Sequence, residues 1–339
     1  MHMADALLSP VVGGVFWVAS AGMIGIAARK INSENNTAKT PLMGVMGAFI
    51  FAAQMINFAI PGTGSSGHIG GGLLLTAVLG PWRAFITLAS VLVVQCLFFA
   101  DGGLLALGCN IFNLAFFPAF IAYPFIFQKI AGDGSKKFQL AVGAIAASVV
   151  GLELGAFSVV IETILSGSTD LPFTTFSLFM LPIHLAIGVV EGVVTFAVLS
   201  FVTQVQPSLI SGDSVKSLAR PLLIILTLTA LFIGGALSYF ASEHPDGLEW
   251  SIEKVATTES AEPQQHGIQA LFASIQKRLS FLPDYSFKRS GESNSNEESG
   301  LALFGTSVSG IVGSVIVLLL ALGAGLILRN RAAINTKHT

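Results

Sequence analysis

The stretch Leu140–Leu165, LAVGAIAASVVGLELGAFSVVIETIL, is almost wholly apolar, and its only charged residues are Glu153 and Glu162. An α-helix rises 1.5 Å per residue, so a run of this length is long enough to cross the roughly 30 Å hydrocarbon core of a bilayer. The stretch therefore predicts a transmembrane helix, and the fold class depends on how often such stretches recur.

The composition of the whole chain agrees with a membrane protein. Of its 339 residues, 53% are hydrophobic and 11% are charged, and the mean hydropathy is +0.77. About a quarter of the residues in soluble domains are charged, so this composition excludes an ordinary soluble enzyme and a disordered chain. A net charge of −2 argues against nucleic acid as a partner. Cys96 and Cys109 are too few for a disulfide framework, and we expect them to be small packing residues.

Eight apolar runs are each long enough to span a bilayer. They are Pro10–Ala28, Leu42–Ile60, Trp82–Ala100, Leu104–Phe127, Leu140–Leu165, Phe176–Thr203, Pro221–Phe240 and Leu301–Leu328. A ninth run, Ile69–Leu79, is too short to span alone and predicts a half-helix or a steeply buried one. The alternating pattern of a membrane β-barrel is absent, so we expect all the spans to be helices.

The runs predict an all-α membrane protein with three zones. Residues 1–204 form a bundle of seven transmembrane segments, and residues 205–220 form a cytoplasmic linker. Residues 221–339 form a hairpin of two helices that encloses a polar extracytoplasmic segment, residues 241–300. Part of that segment, such as Ser290–Ser299, has the composition of a disordered chain.

The distribution of lysine and arginine predicts the orientation of the chain. With the N-terminus outside, twelve of the seventeen basic residues fall on the inner face, as the positive-inside rule requires. They are Arg29, Lys30, Lys39, Arg83, Lys129, Lys136, Lys137, Lys216, Arg220, Arg329, Arg331 and Lys337. The other five lie in the segment 241–300. We therefore expect a multi-pass protein of the inner (cytoplasmic) membrane, with its N-terminus outside and its C-terminus inside.

Small residues recur every four positions in one predicted span, at Gly143, Ala147, Gly151 and Gly155. Such a stripe lets another helix approach closely. It indicates either packing inside the bundle or docking to a separate membrane subunit, and the first span carries a weaker version at Ala21 and Gly25.

Polar side chains inside membrane spans are costly and point to function. Gln54 and Asn57 share a helix face, and so do Asn110 and Asn113, although such amides also serve as hydrogen-bond links between helices. His184 and Glu191 lie about two turns apart on one face, where they either line one cavity or are each paired structurally.

The sharpest signal is His2 together with His68. The α-amine of Met1 and the amide nitrogen of His2 close a five-membered chelate ring, and that amide with the His2 imidazole closes a six-membered ring. A fourth nitrogen from His68, in a glycine-rich outer loop, would complete a planar N4 site of the kind that Ni(II) or Cu(II) prefers. The alternative is that His2 is a frayed terminal residue and His68 a polar helix cap.

Several ordered motifs resemble the substrate-capturing M subunits of nickel and cobalt energy-coupling-factor transporters, over about residues 1–204. They are Met1-His2-Met3-Ala4-Asp5-Ala6-Leu7-Leu8-Ser9-Pro10, Gln54…Asn57-Phe58, Gly62-Thr63-Gly64-Ser65-Ser66-Gly67-His68-Ile69-Gly70-Gly71-Gly72, Leu79-Gly80-Pro81, Asp101-Gly102-Gly103…Asn110 and His184-Leu185…Gly188…Glu191-Gly192…Thr195. Further on, His244-Pro245-Asp246-Gly247-Leu248-Glu249 resembles the signature of the small N subunit that accompanies such M subunits, here fused in one chain.

The resemblance implies a seven-helix bundle in which the N-terminus dips to the centre and binds one metal ion. The implied ligands are the Met1 amine, the amide and imidazole of His2, and His68. Gln54, Asn57, Ser66, Asn110, His184 and Glu191 are the side chains that we expect around the ligands or along the path of the metal. Met3-Ala4 and Ala6-Leu7 depart from the sequence of many relatives, which leaves the metal preference open.

The transported ion is expected to be Ni(II), with Co(II) as the alternative, and no organic cofactor is expected. The chain has no Gly-x-x-x-x-Gly-Lys-Ser/Thr motif, so we expect ATP hydrolysis by separate ATPase subunits that act with a transmembrane coupling (T) subunit. Because all the proposed ligands precede residue 69, we expect the segment 241–300 to be dispensable for metal binding but not for uptake.

Two rival functions fit parts of the sequence. Gly64-Ser65-Ser66-Gly67 with a later His184 has the elements of a rhomboid-type intramembrane serine protease, which would use Ser66 as nucleophile. That interpretation leaves His2 without a role. A passive metal channel is the other alternative.

Overall fold

The computed structural model describes residues 2–34, 37–211, 217–255, 267–287 and 295–335. Its helices are α1 (Pro10–Ser33), α2 (Thr40–Gln54), α3 (Gly72–Leu79), α4 (Pro81–Phe99), α5 (Leu107–Ala131), α6 (Lys137–Ser166), α7 (Phe173–Val205), α8 (Arg220–Gly235), α9 (Gly247–Val255), α10 (Ile268–Leu279) and α11 (Ser295–Asn335). Its two strands are β1 (Phe58–Ile60) and β2 (Ser65–Gly67), and short 3-10 turns cover Asp5–Leu7, Thr37–Lys39, Pro207–Leu209, Leu237–Phe240 and Pro283–Tyr285.

Six helices in the described part of the chain are long and apolar enough to cross a membrane. They are α1, α4, α5, α6, α7 and the Phe304–Leu328 portion of α11, whereas α2 and α8 are apolar but shorter. The prediction of a predominantly helical membrane protein is therefore confirmed.

The predicted span Leu42–Ile60 is wrong over its last six residues, because α2 ends at Gln54 and the chain then enters a β-hairpin. Asn57 lies beyond the end of α2, so the prediction that it shares a helix face with Gln54 is also wrong. Strands β1 and β2 pair antiparallel, with Phe58 opposite Gly67 and Ile60 opposite Ser65. The apolar residues of β1 prolong the hydrophobic run of α2, so apolar length alone does not mark where the helix ends. The turn between the strands contains Gly62 and Gly64, both with positive φ.

The predicted half-helix over Ile69–Leu79 is present as α3, which begins three residues later, at Gly72. Every residue of α3 is buried. Gly71, directly before it, has a φ of 76°, a left-handed conformation that glycine adopts at no steric cost. This conformation turns the chain from the histidine-bearing loop into the interior of the bundle.

The stripe of small residues on α6 packs inside the bundle. A Cβ atom added at Gly151 would lie 3.3 Å from the Cα of Pro118 on α5, and one added at Gly143 would lie 3.1 Å from Ala131. Of the two interpretations of this stripe, packing between helices is the one that the structure supports. On α1 the situation differs, since a Cβ at Gly25 would meet nothing within 4 Å.

The last helix packs directly on the N-terminal bundle. A Cβ added at Gly44 of α2 would lie 2.8 Å from the carbonyl oxygen of Leu318 on α11, and one added at Gly313 would meet the Phe51 ring. Glycines thus bring the backbones of α2 and α11 close together. The two halves of the chain share one packed interior.

Residues 241–287, here called the connecting segment, join α8 to the part of the chain before α11 and include α9 and α10. The described parts of the segment, residues 241–255 and 267–287, lie across one end of the bundle, where the Ser242 N–H donates to the Asn57 carbonyl at 2.7 Å and the Leu282 N–H donates to the Phe98 carbonyl at 3.3 Å. The predicted disorder around Ser290–Ser299 lies partly outside the described residues, and α11 begins at Ser295.

Candidate metal centre

The side chains of His2 and His68 meet although they lie far apart in sequence. Their imidazole rings are stacked, with 5.2 Å between centroids and 14° between planes. The His2 side chain is only 4% exposed. The frayed-terminus interpretation of His2 is therefore wrong, and the two histidines predicted to share a site lie side by side. Met1, the predicted source of the α-amine, lies outside the described residues.

The N-terminal residues are held in place by backbone hydrogen bonds around Met3, whose side chain is fully buried. The Met3 N–H donates to Asn110 Oδ1 at 2.8 Å, and the Met3 carbonyl accepts from Asn110 Nδ2 at 3.3 Å and from the Gly103 N–H at 2.8 Å. Asp5 accepts the Ala106 N–H at 3.0 Å. These contacts fix the backbone on the C-terminal side of His2.

The loop that carries His68 is clamped from two helices. Glu191 of α7 accepts the N–H of Gly70 at 2.7 Å and that of Gly71 at 3.2 Å. Gln54 of α2 donates to the Gly70 carbonyl at 2.9 Å and accepts from Gln95 Nε2 at 2.9 Å. The side chains predicted to surround the ligands therefore act on the backbone that positions His68.

The His68 ring has one nitrogen free for a metal ion. Its Nδ1 lies 3.1 Å from the Ile69 carbonyl oxygen, which only accepts, so Nδ1 carries the proton and Nε2 keeps its lone pair. Removal from water lowers the pKa of His68 to about 4, which keeps the ring neutral. A neutral imidazole is the form that binds metal ions.

Asp101 and Tyr285 adjoin the histidines, and the sequence did not single out either one as a candidate site residue. Asp101 Oδ1 lies 3.0 Å from His2 Nδ1, and the Tyr285 hydroxyl donates to Asp101 Oδ2. Burial raises the pKa of Asp101, but the charge of His2 and its hydrogen bond outweigh burial, so the pKa lies well below its usual range. Asp101 belongs to an Asp-Gly-Gly motif in the loop after α4, whereas nothing in the sequence around Tyr285 connects it with His2.

The histidines face a cavity of about 470 Å³ that is rich in carboxylates. The acidic side chains that line it are Asp101, Glu243, Asp246, Glu249 and Asp284, and no lysine or arginine from the described residues lines it. Four of the five acids come from the connecting segment. Such a cavity concentrates cations around the histidines.

The connecting segment touches the site directly, which the sequence did not predict. The Ser66 N–H donates to the Pro245 carbonyl at 2.8 Å, and the Trp250 indole donates to the Thr63 carbonyl at 3.0 Å. The signature Pro245–Glu249 therefore packs on β2, two residues before His68. The connecting segment therefore contacts the metal centre although none of the proposed ligands lies in it.

Comparison with known proteins places these observations in a family. The family model described as the cobalt uptake substrate-specific transmembrane region matches residues 2–209. The chain belongs to this family. A second family model, the PDGLE domain, matches residues 220–330.

Curated relatives match this chain over most of their own length. A putative fused nickel transport protein, NikMN, of Archaeoglobus fulgidus is 31% identical, over 94% of this chain and 96% of the relative. A cobalt transport protein, CbiM, of Sorangium cellulosum is 27% identical, over 65% of this chain and 98% of the relative. A solved structure of a truncated transition metal transporter has a TM-score of 0.52 at 30% identity, and the match covers 60% of this chain and 99% of that one.

Membership of a cobalt uptake family agrees with a transport component and not with a protease. Ser66 Oγ donates to the His244 carbonyl at 2.7 Å. His184 Nδ1 lies 2.7 Å from the Met180 carbonyl, and His184 Nε2 has no partner among the described residues. Ser66 and His184 thus form no serine–histidine dyad. Glu191 accepts hydrogen bonds from the loop at Gly70 and Gly71. Of the two interpretations, lining a cavity or being paired structurally, the second therefore describes Glu191.

Proposed function

We propose that this chain captures Ni(II) at the extracytoplasmic face of the inner (cytoplasmic) membrane, as the substrate-specific component of an ATP-driven energy-coupling-factor importer. The observation that carries the proposal is the pair of stacked imidazoles, His2 and His68, in a carboxylate-lined cavity. Relatives described as nickel and cobalt transport proteins support the substrate class.

The proposed ligands are the Met1 α-amine, the amide nitrogen and Nδ1 of His2, and Nε2 of His68. Three of these nitrogens belong to one dipeptide, and the fused chelate rings hold them in a plane. A planar N4 set with a deprotonated amide favours d8 Ni(II) over Co(II). Cobalt remains the alternative substrate, because the family includes cobalt transport proteins.

The surrounding side chains are proposed to position these ligands. Asn110 holds Met3 beside His2, while Gln54 and Glu191 hold the loop that begins at His68. Ser66 anchors the preceding strand to the connecting segment. Asn57, which lines the cavity, and His184, beside the loop, are proposed to lie along the path of the metal.

The proposed arrangement in the membrane has residues 1–204 as a seven-segment bundle of the S-component type and residues 221–339 as a two-span hairpin, with the N-terminus outside. Transport requires a T subunit and ATPase subunits as partners. The exposed, glycine-containing face of α1, where Val11, Val15 and Val18 point outward, is the surface that we propose for the T subunit.

Calorimetry on the purified full chain with Ni(II), and separately with Co(II), tests this function. We expect one ion per chain, tighter binding of nickel, and the d–d absorption of a planar N4 complex. Binding of cobalt in preference to nickel would assign the cobalt function. Absence of tight binding of either ion would reject metal capture, and uptake without the ATPase subunits would favour a passive channel.

A further inference from the structure

Three separated parts of the chain are joined by one line of side-chain contacts. Tyr285 of the connecting segment donates to Asp101, in the loop after α4, and Asp101 contacts Nδ1 of His2 at the N-terminus. Nδ1 is the nitrogen that closes the six-membered chelate ring in the proposed metal site. The contact therefore engages the atom that the metal needs.

The backbone around this contact is in an unfavourable conformation. Among the described residues, the non-glycine residues with positive φ are Ala100 (57°), Asp284 (49°) and Tyr285 (57°). Ala100 directly precedes Asp101, and the other two form the turn that carries the tyrosine. Left-handed conformations are costly for residues with a Cβ atom and persist where the surrounding structure enforces them. All three residues thus lie at or next to the two partners of the Tyr285–Asp101 hydrogen bond.

We propose that Tyr285 and Asp101 form a latch through which the connecting segment controls the loading of metal at His2. With the latch closed, Asp101 holds His2 Nδ1 away from chelation, and the Tyr285 hydroxyl fixes the orientation of the carboxylate. With the latch open, the imidazole turns, the proton on Nδ1 passes to water, and Nδ1 offers the lone pair that remains to the metal while Nε2 carries the proton of the ring. Both side chains are positioning residues, and this inference rests on the proposed metal site.

The hydroxyl and the ring of Tyr285 have different partners. The ring stacks on Phe99 at the end of α4, with 5.0 Å between centroids and 20° between planes, and it meets Phe51 edge-on at 6.4 Å. These apolar contacts dock the connecting segment whether or not the hydroxyl is present. Loss of the hydroxyl therefore frees the Asp101 carboxylate to turn, which weakens the latch, and leaves the segment in place.

His2 Nε2 is buried and has no partner among the described residues. A buried polar atom without a hydrogen-bond partner costs free energy, and no described residue stabilises this end of the ring in the closed arrangement. A rotation of the imidazole about its Cβ–Cγ bond turns Nδ1 away from Asp101. The contact with Asp101 is thus the hydrogen bond of the ring that metal binding must break.

Metal-loading kinetics of the full chain in detergent test the latch. The variants are Tyr285→Phe, which weakens the latch, and Ala100→Gly, which relieves the strain of the closed form. Tyr239→Phe is the matched control, because it removes the same hydroxyl from a tyrosine that is exposed and does not line the cavity. The rate is followed by rapid mixing with Ni(II), from the growth of the d–d absorption, and the stoichiometry by titration.

We expect Tyr285→Phe to load nickel about tenfold faster, Ala100→Gly to load it about threefold more slowly, and Tyr239→Phe to load at the rate of the unaltered chain. All should bind one ion. An unchanged or slower rate for Tyr285→Phe would overturn the latch while leaving the metal site intact. An unchanged rate for Ala100→Gly would show that backbone strain at Ala100 has no part in the latch. Absence of nickel binding in the unaltered chain would instead overturn the proposed function.

Discussion

Glu191 on α7 accepts the backbone N–H of Gly70, two residues beyond His68, at 2.7 Å. Its second oxygen accepts the N–H of Gly71 at 3.2 Å. A carboxylate buried in an apolar bundle needs such donors, and here the donors belong to the loop that carries a proposed ligand. The ligand loop is thereby tied to a long membrane helix, so the position of His68 follows the position of α7.

The first prediction concerns this clamp. Glu191→Gln replaces one acceptor oxygen by an NH2 group that faces a backbone N–H, and it removes the charge from both hydrogen bonds. Hydrogen bonds to charged groups contribute about 1.5–3 kcal/mol, so we expect nickel affinity to fall by about 10- to 100-fold. Calorimetry on the purified chain measures the change.

Glu162→Gln is the matched control for this prediction. Glu162 is also a buried carboxylate in a helix, but its partners are Asn113 and Ser158, away from the histidine loop. We expect this variant to lose thermal stability without losing nickel affinity. Equal losses of affinity in both variants would mean that Glu191 acts only on the stability of the bundle.

The second prediction concerns the register of the N-terminus. Inserting two alanines between Met1 and His2 keeps both histidines but places the first one in fourth position, where the fused five- and six-membered rings cannot form. A single alanine would be unsuitable, because a histidine in third position chelates a planar metal with nitrogens of its own segment. We expect the double insertion to bind nickel as weakly as His2→Ala.

Affinities of the two variants are compared by competition with a chelator of known strength. Near-normal binding by the double insertion would reject the chelate that starts at the α-amine. The mass of the intact protein provides the control, since it establishes that the amine before His2 is unmodified.

The sequence was sufficient to predict most of the apolar helices and the proximity of His2 and His68, for separate physical reasons. A helix in a membrane needs a run of apolar residues of fixed length, which is visible in Leu140–Leu165 without any tertiary information. The chelating capacity of His2 depends only on its position in the chain. His68 was recognised because a glycine-rich loop in a membrane protein gives a histidine access to the interior.

Tertiary hydrogen bonds determined the features that the sequence did not predict. α2 ends at Gln54, whose side chain is hydrogen-bonded to Gly70 and Gln95, although the apolar run itself continues into β1. Tyr285 is brought to Asp101 by the docking of a polar segment whose composition resembles that of a disordered chain. Hydropathy carries no information on such contacts.

The third prediction concerns His68 as the fourth ligand. His68→Ala should leave three planar nitrogens, with water in the fourth position, and should weaken nickel binding by at least the roughly 10- to 100-fold that loss of an outer partner of a metal ligand causes. The d–d absorption should shift to lower energy, because water is a weaker-field ligand than imidazole. An unchanged spectrum would show that His68 does not bind the metal.

The fourth prediction concerns the close approach of Gly103 to the N-terminal residues. A Cβ atom at Gly103 would lie 1.8 Å from Asp5 Oδ1 and 2.4 Å from the Asp5 backbone nitrogen. Gly103→Ala must therefore push residues 3–5 away from the loop after α4, and His2 moves with them. Overpacking of this kind costs about 1–3 kcal/mol, so we expect nickel affinity to fall by about 10- to 100-fold.

Gly14→Ala is the control, because Gly14 lies on α1, shortly after the same N-terminal residues, and a Cβ atom there meets nothing within 4 Å. Alanine is a better helix former than glycine, so this variant should be as stable as the unaltered chain or slightly more stable, with unchanged affinity. Nickel titration and thermal unfolding of both variants provide the measurements. If Gly103→Ala bound nickel as tightly as Gly14→Ala, the packing of the N-terminal residues against this loop would not be what holds His2 in the metal centre.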